Sequence, residues 1–256
     1  MMINKIFNFF KKKEKEPKVI WWSTVEGLED VMPIVPAKEV LPDWWVRVQK
    51  HTGQYRGKGN KGNIGNCPSF PEFMQSGYVV RLWCDLHLKV EPDGKWEWKS
   101  PTSHFKFDAH GNQQFKDFLP KTVQDNISIV LKPDCPWRVK TPPGWSVMQL
   151  PLIYHYNPIF DVLPGVIWSD IHHEINQQMV IKRYGEIFLK RGTPLAMYVP
   201  YQRSKLDFEV QGPTVENAKW ANTSWMQVNT KFHSGYQYNQ AEQRKKLSGK
   251  CPFHKE

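Results

Sequence analysis

The chain has 256 residues, of which 40% are hydrophobic, and its 35 Lys and Arg against 25 Asp and Glu give a formal net charge of +10. That apolar content is enough for a folded core, which excludes a chain that is disordered throughout. Every apolar run is much shorter than the ~18 residues of a membrane-spanning helix, and the mean hydropathy is −0.60, so we expect no transmembrane span.

The first 18 residues form a basic segment that holds six Lys and two Glu. Its large apolar residues follow the i, i+3, i+4, i+7 spacing of one helical face: Ile3, Ile6, Phe7 and Phe10. This pattern predicts a short amphipathic helix, and two interpretations are open. Residues 1–13 either contact a membrane surface or a partner protein, or the helix packs back onto its own domain.

Paired and alternating tryptophans mark the segments that follow. Trp44 and Trp45 follow a proline-rich stretch, whereas Trp96 and Trp98 lie two residues apart after Asp93-Gly94. The Asp-Gly pair between two runs of β-forming residues predicts a hairpin, with Trp96 and Trp98 on one face. Aromatic side chains in such places can stack on bases or sugars. A role in the core or at an interface is the interpretation we favour, and all four are candidate interface residues.

Residues 19–213 are typical of a β domain, because short apolar segments alternate with turn signals along most of their length. From residue 214 onwards the strand signals become rare, and Asn, Gln, Glu and Lys become frequent. Residues 214–256 therefore predict a short helical or irregular basic tail. The fold class expected from the sequence is mainly β.

Three motifs between Pro142 and Pro200 carry a resemblance to a known family. They are Pro143-Gly144-Trp145, the run GVIWSDIHHEI from Gly165 to Ile175, and the run FLKRGTPLAM from Phe188 to Met197. In order and spacing they resemble the β-clip core of trimeric dUTPases and of the related dCTP deaminases. The resemblance implies a β-clip-like, dUTPase-like core at residues 127–203, with additional hairpins before it.

The departures from that family's pattern fall on the residues that carry its chemistry. Trp168 stands where the family keeps the carboxylate that orients the attacking water, and His172 and His173 replace an Arg-Gly pair. The Arg-Ser-Gly phosphate contacts and the Gly-rich C-terminal arm have no counterpart. The resemblance thus implies a scaffold more than dUTP hydrolysis. A diverged nucleotide hydrolase with its site near Asp170, His172 and Glu174 stays an alternative.

A second resemblance spans roughly residues 20–205 and concerns a family of uncharacterised proteins from large tailed phages and some bacteria. The residues that carry it are Cys67-Pro68, Gly77-Tyr78-Val79, Trp83-Cys84-Asp85, Pro136-Trp137, the run from Thr141 to Ser146, the run from His173 to Asn176, and the run from Lys190 to Pro194 followed by Pro200. It implies a phage origin and no particular activity.

Histidines and carboxylates two residues apart suggest a metal site. On a strand, residues two apart share a face, so His172 pairs with Glu174. In the same way, His104 and Asp108 share a face of the strand predicted after the Asp93-Gly94 hairpin. Two His and one carboxylate on a β scaffold can hold a non-haem iron or another divalent metal. Such alternation is also typical of a solvated strand face, so both interpretations stay open.

Two functions follow from the sequence. The first is a non-catalytic binding or assembly protein, with a protein partner or a second copy of itself. The second is a metal-dependent enzyme or nucleotide hydrolase. Nucleic acid could bind through the basic tails, because residues 1–18 and 240–256 hold seven of the ten net positive charges. Four unevenly spaced cysteines and no signal peptide predict a cytoplasmic setting, that of the host cell for a phage protein.

Overall fold

The computed structural model describes residues 17–51, 64–67, 69–229, 240–243 and 245. The chain divides into two compact units, Met1–Ser204 and Lys205–Glu256. Most of the regular structure in the first unit is antiparallel β-sheet, so the predicted fold class is confirmed. The second unit contains a long helix, which agrees with the predicted helical tail.

Fourteen strands are described. They are β1 (Ile20–Ser23), β2 (Val35–Pro36), β3 (Tyr78–Arg81), β4 (Leu86–Val90), β5 (Trp96–Lys99), β6 (Phe107–His110), β7 (Ile129–Lys140), β8 (Trp145–Pro151), β9 (Phe160–Val162), β10 (Gly165–Ile167), β11 (Glu174–Asn176), β12 (Met179–Ile181), β13 (Gly185–Leu189) and β14 (Pro194–Gln202). The α-helices are α1 (Leu28–Val31), α2 (Asp43–His51), α3 (Ser69–Met74), α4 (Lys121–Gln124) and α5 (Val215–Asn229). Among the described residues, no helix has the length and apolar character needed to cross a membrane.

The strands form three sheets, and the longest strand organises the largest of them. β7 pairs antiparallel with β1, β6, β11 and β12, and β9 completes this six-stranded sheet beside β12. The second sheet has the order β10-β8-β14-β3-β2, and the third has the order β13-β4-β5. Because β7 carries buried side chains along most of its length, its partners on both edges pack around one core.

The hairpin predicted at Asp93-Gly94 is confirmed. β4 and β5 pair in register, with Leu88 opposite Trp98 and Val90 opposite Trp96. Gly94 takes a φ of 88°, a left-handed conformation that glycine adopts at little cost. Both tryptophans lie on the face that packs against the core, as the two-residue spacing predicted.

A buried polar network ties the five-stranded sheet to the loop between β11 and β12. The Tyr198 hydroxyl donates to Gln149 Oε1 at 2.9 Å and accepts from Gln177 Nε2 at 2.9 Å. Gln149 Nε2 in turn donates to the Leu163 carbonyl oxygen at 2.8 Å. Burial raises the pKa of Tyr198 well above its usual range, so the hydroxyl keeps its proton. The buried polar groups of these side chains therefore hydrogen-bond to one another, and this fixes the position of the β11–β12 loop on the five-stranded sheet.

Candidate functional site

The turn after β10, which carries the predicted catalytic Asp170, is held by an ion pair. Arg203 donates from Nη1 to Asp170 Oδ1 at 2.9 Å and from Nη2 to Oδ2 at 2.5 Å. The Gly144 backbone N–H donates to the same Oδ2 at 2.9 Å. The Arg203 guanidinium also lies 4.3 Å from the centre of the Trp168 ring. Both oxygens of Asp170 are therefore occupied, and its position is that of a structural clasp rather than of a general base.

We expect Asp170→Asn to lower stability at neutral pH and to remove an acid-sensitive part of it. The Arg203 hydrogen bonds lower the pKa of Asp170 from 3.8 to about 2. A carboxyl with a lowered folded-state pKa stabilises above its unfolded value, and this contribution is lost as pH falls from 3.8 to about 2. Urea unfolding at several pH values measures it: the gap between wild type and variant should close in acid. An equal gap at neutral and at acid pH would contradict the clasp.

The four predicted metal ligands are not brought together. His172 lies exposed between a turn and β11, and Glu174 begins β11 with its carboxylate 3.6 Å from Arg138 Nη2. His104 lies in a turn, because the strand expected there begins only at residue 107, whereas Asp108 is on β6. In the part of the chain that the structure describes, no three His, Cys, Asp or Glu side chains are placed to hold a metal ion. The expected shared strand faces are therefore wrong at both places.

Asp108 and Glu174 do line one cleft of about 450 Å³ on the face of the six-stranded sheet. Their strands both pair with β7, where Lys132 stands opposite Asp108 and Arg138 stands opposite Glu174. Each carboxylate thus has a cation as its cross-strand neighbour, which favours ion pairing across the strands over coordination of a metal ion. We interpret this cleft as a charged, solvated sheet face.

Two adjoining cavities elsewhere give the first unit a more distinctive site. One has a volume of about 270 Å³ and the other about 490 Å³, and both are lined by His155 and Pro194. His155 ends a short 3-10 turn after β8, and Pro194 begins β14. The first cavity is also lined by Asn157, Asp161 and Thr193, and the second by Asp43, Trp44 and Arg47 at the start of α2. We call the two together the His155 groove.

Trp44 lines the His155 groove, and the rings of Tyr154 and Tyr156 lie beside it; we call these three rings the aromatic wall. The Trp44 indole N–H donates to the Tyr154 carbonyl oxygen at 2.6 Å, which fixes the orientation of the indole ring. The Trp44 ring centre lies 6.0 Å from that of Tyr156, and Tyr154 packs against Phe70 at 5.1 Å and Phe73 at 5.6 Å. Rings held in this way offer a rigid surface at little further cost in conformational entropy.

The backbone of Tyr156, which directly follows His155, is strained. Its φ is 49°, and it is the one non-glycine residue with a positive φ in the described part of the chain. A left-handed conformation costs a non-glycine residue about 1–3 kcal/mol, and such residues cluster at ligand clamps and active sites. Its side chain is nevertheless 67% exposed. The strained backbone therefore holds an exposed aromatic ring beside the groove rather than burying it.

The charges around His155 are close to balanced. Burial lowers the pKa of His155, and a hydrogen bond with the Val40 backbone opposes this only in part, so the imidazole is neutral at neutral pH. Asp161 pairs with Lys182 at 3.1 Å, and the same ammonium donates to the Asn157 carbonyl oxygen at 2.5 Å. With Asp43 and Arg47 on the other side, neither sign of charge dominates.

The four tryptophans predicted at an interface have different positions. Trp44 lines the His155 groove, but its neighbour Trp45 is only 1% exposed, so an interface role for Trp45 is wrong. Trp96 and Trp98 are half-buried and pack on Phe107 with ring centres 6.0 and 5.8 Å away. Trp45 therefore belongs to the core, whereas Trp96 and Trp98 pack against the core and stay partly exposed, so an interface role for these two stays a prediction.

The sequence gives no reason to single out His155 and Tyr156, because the apolar residues from 145 to 156 follow one another as in a β-strand. A signal for a change of structure was present, since Asn157-Pro158 follows directly and Asn-Pro is a frequent turn signal. β8 in fact ends at Pro151. The predictions of a helix at residues 1–13 and of nucleic-acid binding by the far ends of both tails concern chain outside the described residues.

No family model matches the chain, and no curated protein matches it. The resemblances to the dUTPase β-clip core and to the phage family therefore stay predictions. The strands and turns that those motifs predicted locally are present, since β8, β10, β11, β13 and β14 each begin or end within them.

Proposed function

We propose that this protein is a non-catalytic binding protein that takes an uncharged, ring-containing ligand into the His155 groove. The observation that carries the proposal is that two cavities meet at His155 and that Trp44, whose indole is held by a hydrogen bond to Tyr154, lines one of them. A concave site lined by aromatic and apolar groups, with a few converging polar ones, is the usual form of a small-ligand site.

The aromatic wall supports a ligand with a flat face. Trp44 is held by its hydrogen bond to the Tyr154 carbonyl oxygen, so its ring does not have to be ordered on binding. The exposed Tyr156 ring, 6.0 Å from Trp44, extends the wall outward. Stacking on such rings is tolerant of the identity of the ligand, since every base and many sugars present a flat face.

The polar groups support a neutral ligand. The imidazole of His155 is uncharged at neutral pH, and the ammonium of Lys182 is already shared between Asp161 and Asn157. Binding a phosphate here would need cations that exceed the acidic groups, and the groove has no such excess. A nucleoside or a sugar fits this balance better than a nucleotide does.

An enzymatic function has less support, because Asp170 is engaged by Arg203 and the predicted metal ligands lie apart. The phage origin and the cytoplasmic setting are proposals of the same kind. The first rests on the residues shared with the phage family. The second is supported by Cys67, Cys84 and Cys135, which are free thiols as expected in a reducing compartment.

Calorimetric titration of the purified chain with adenosine, uridine, methyl glucoside, maltose and dUTP tests the proposal. We expect saturable binding of at least one nucleoside or sugar, weakened about 5- to 100-fold by Trp44→Ala. Trp168→Ala is the matched control, since Trp168 is an exposed tryptophan outside the groove, and it should leave binding unchanged. Turnover of dUTP that Asp170→Asn abolishes, or no binding of any of the five compounds, would overturn the proposal.

A further inference from the structure

The first cavity of the His155 groove, the one of about 270 Å³, is lined by residues with hydrogen-bonding groups that the protein itself does not use. Asn157 Oδ1 accepts from the Ile159 backbone N–H at 2.9 Å, which fixes the orientation of the amide and leaves Nδ2 with no partner among the described residues. Asp161 Oδ2 accepts from the Lys182 ammonium at 3.1 Å, and Oδ1 is likewise unused in the described part of the chain. Asn157 can therefore still donate to a ligand, and Asp161 can still accept.

Thr193 adds a second acceptor to this cavity. Its hydroxyl donates to the Lys190 carbonyl oxygen at 2.6 Å, so the proton is engaged and the oxygen lone pairs are left to accept. A hydroxyl group of a ligand can donate and accept at the same time. A sugar, which carries hydroxyls on neighbouring carbons, can therefore donate to Asp161 and Thr193 and accept from Asn157 without leaving any of these groups unpaired.

The apolar lining of the first cavity suits a sugar better than a nucleobase. Besides the His155 imidazole, the aromatic side chain that lines it is Phe160, which is only 2% exposed. The remaining apolar lining residues have aliphatic or proline side chains: Leu152, Pro158, Val162, Pro194 and Leu195. A base that is bound without pairing gains contact energy by stacking its flat face on an exposed aromatic ring. The C–H groups of a sugar pack on aliphatic side chains as well as on rings.

The sizes of the two cavities indicate a ligand of more than one ring. Sites that take a whole small molecule usually measure about 300–1,000 Å³, so the first cavity, at about 270 Å³, is small for such a site. The second cavity, at about 490 Å³, adjoins it, because His155 and Pro194 line both. Trp44 lines the second cavity with its indole held by Tyr154, so it supplies a flat surface on which a second ring can stack.

We propose, resting on the function proposed above for this groove, that its ligand is a neutral oligosaccharide of at least two rings. One sugar ring lies in the first cavity, where Asn157, Asp161 and Thr193 bind its hydroxyls. The next ring lies in the second cavity and stacks on Trp44. A nucleoside would use the same groove less well, because its base finds an exposed tryptophan only in the second cavity.

Calorimetric titration of the full chain with methyl glucoside, maltose, adenosine and uridine tests this assignment of the ligand. The two sugars are neutral and contain one and two rings of the same hexose, so their comparison isolates the second ring. We expect maltose to bind at least about 10-fold more tightly than methyl glucoside, because its second ring gains the contact with Trp44. Neither nucleoside should bind as tightly as maltose. This comparison uses wild type alone, so it does not depend on the folding of a variant.

Asn157→Asp tests the first cavity separately. The variant keeps the Oδ1 that accepts from the Ile159 N–H, and it replaces the Nδ2 donor with an acceptor, which leaves a sugar hydroxyl without its donor. We expect maltose binding to weaken about 5- to 100-fold. Asn112→Asp is the matched control, since it adds the same charge at an exposed asparagine that lines neither cavity, and it should leave binding unchanged.

The outcomes separate this assignment from the proposed function. Binding of adenosine or uridine without binding of maltose would overturn the oligosaccharide and leave the binding function of the groove in place. No binding of any of the four compounds would overturn both. Equal affinities for maltose and methyl glucoside, or equal effects of Asn157→Asp and Asn112→Asp on maltose binding, would also overturn the oligosaccharide.

Discussion

Replacing Gly77 with alanine should destabilise the protein more than the same replacement at Gly27, Gly94, Gly144, Gly185 or Gly192, the other described glycines with a positive φ. Gly77 has a φ of 71°, and a Cβ there would lie 2.1 Å from the backbone oxygen of Tyr198 and 3.0 Å from Val199 Cα. These are backbone atoms of β14, so no side-chain rotation relieves the clash. The left-handed φ alone costs about 1–2 kcal/mol. We expect the free energy of unfolding to fall by more than about 3 kcal/mol.

Gly27→Ala is the matched control for this prediction. Gly27 has nearly the same φ of 73°, but no atom lies within 4 Å of the position that its Cβ would take. We expect it to lose only the conformational part, about 1–2 kcal/mol. Urea denaturation followed by circular dichroism compares the two variants. If both variants lost the same free energy of unfolding, the close contact between Gly77 and the β14 backbone would not be the reason that alanine destabilises this position.

Local signals in the sequence predicted the parts of the fold whose causes are local. The Asp93-Gly94 hairpin depends on one turn and two neighbouring strands, and Trp96 and Trp98 share its buried face as expected. The strand predicted around residue 104 is wrong in its extent, because a local pattern of alternation does not show whether a segment has a pairing partner. Phe105 is buried without belonging to a strand, so alternation of Phe with polar residues appeared without strand pairing.

The candidate site could be predicted only in part, because the contacts that define it are distant in sequence. Asp170 is a candidate from the sequence because its turn belongs to the motif that resembles the dUTPase family, but its role is set by Arg203, which is 33 residues away. Similarly, Trp44 is brought to the groove by Tyr154, which is 110 residues away. A pattern of residues within one helix or strand cannot predict contacts between residues so far apart in the sequence. The strained φ of Tyr156 likewise depends on the surrounding structure.

The adjacent tryptophans of α2 should separate stability from binding. Trp45 is 1% exposed, and truncating a buried Trp to Ala costs about 3–5 kcal/mol. Trp44 is half-buried and lines the His155 groove, so Trp44→Ala should cost about 1 kcal/mol, the typical value for a point mutant. Thermal and urea unfolding measure this difference, and titration with the compound that wild type binds measures the loss at Trp44.

Phenylalanine substitutions at the same two positions refine the comparison. Trp45→Phe keeps most of the apolar volume and should recover much of the stability that Trp45→Ala loses, because the cost arises from the cavity. Trp44→Phe keeps a flat ring but loses the N–H that donates to Tyr154. It should bind more weakly than wild type and more tightly than Trp44→Ala. If Trp44→Ala proved as unstable as Trp45→Ala, Trp44 would belong to the core, and the aromatic wall would no longer support a ligand site.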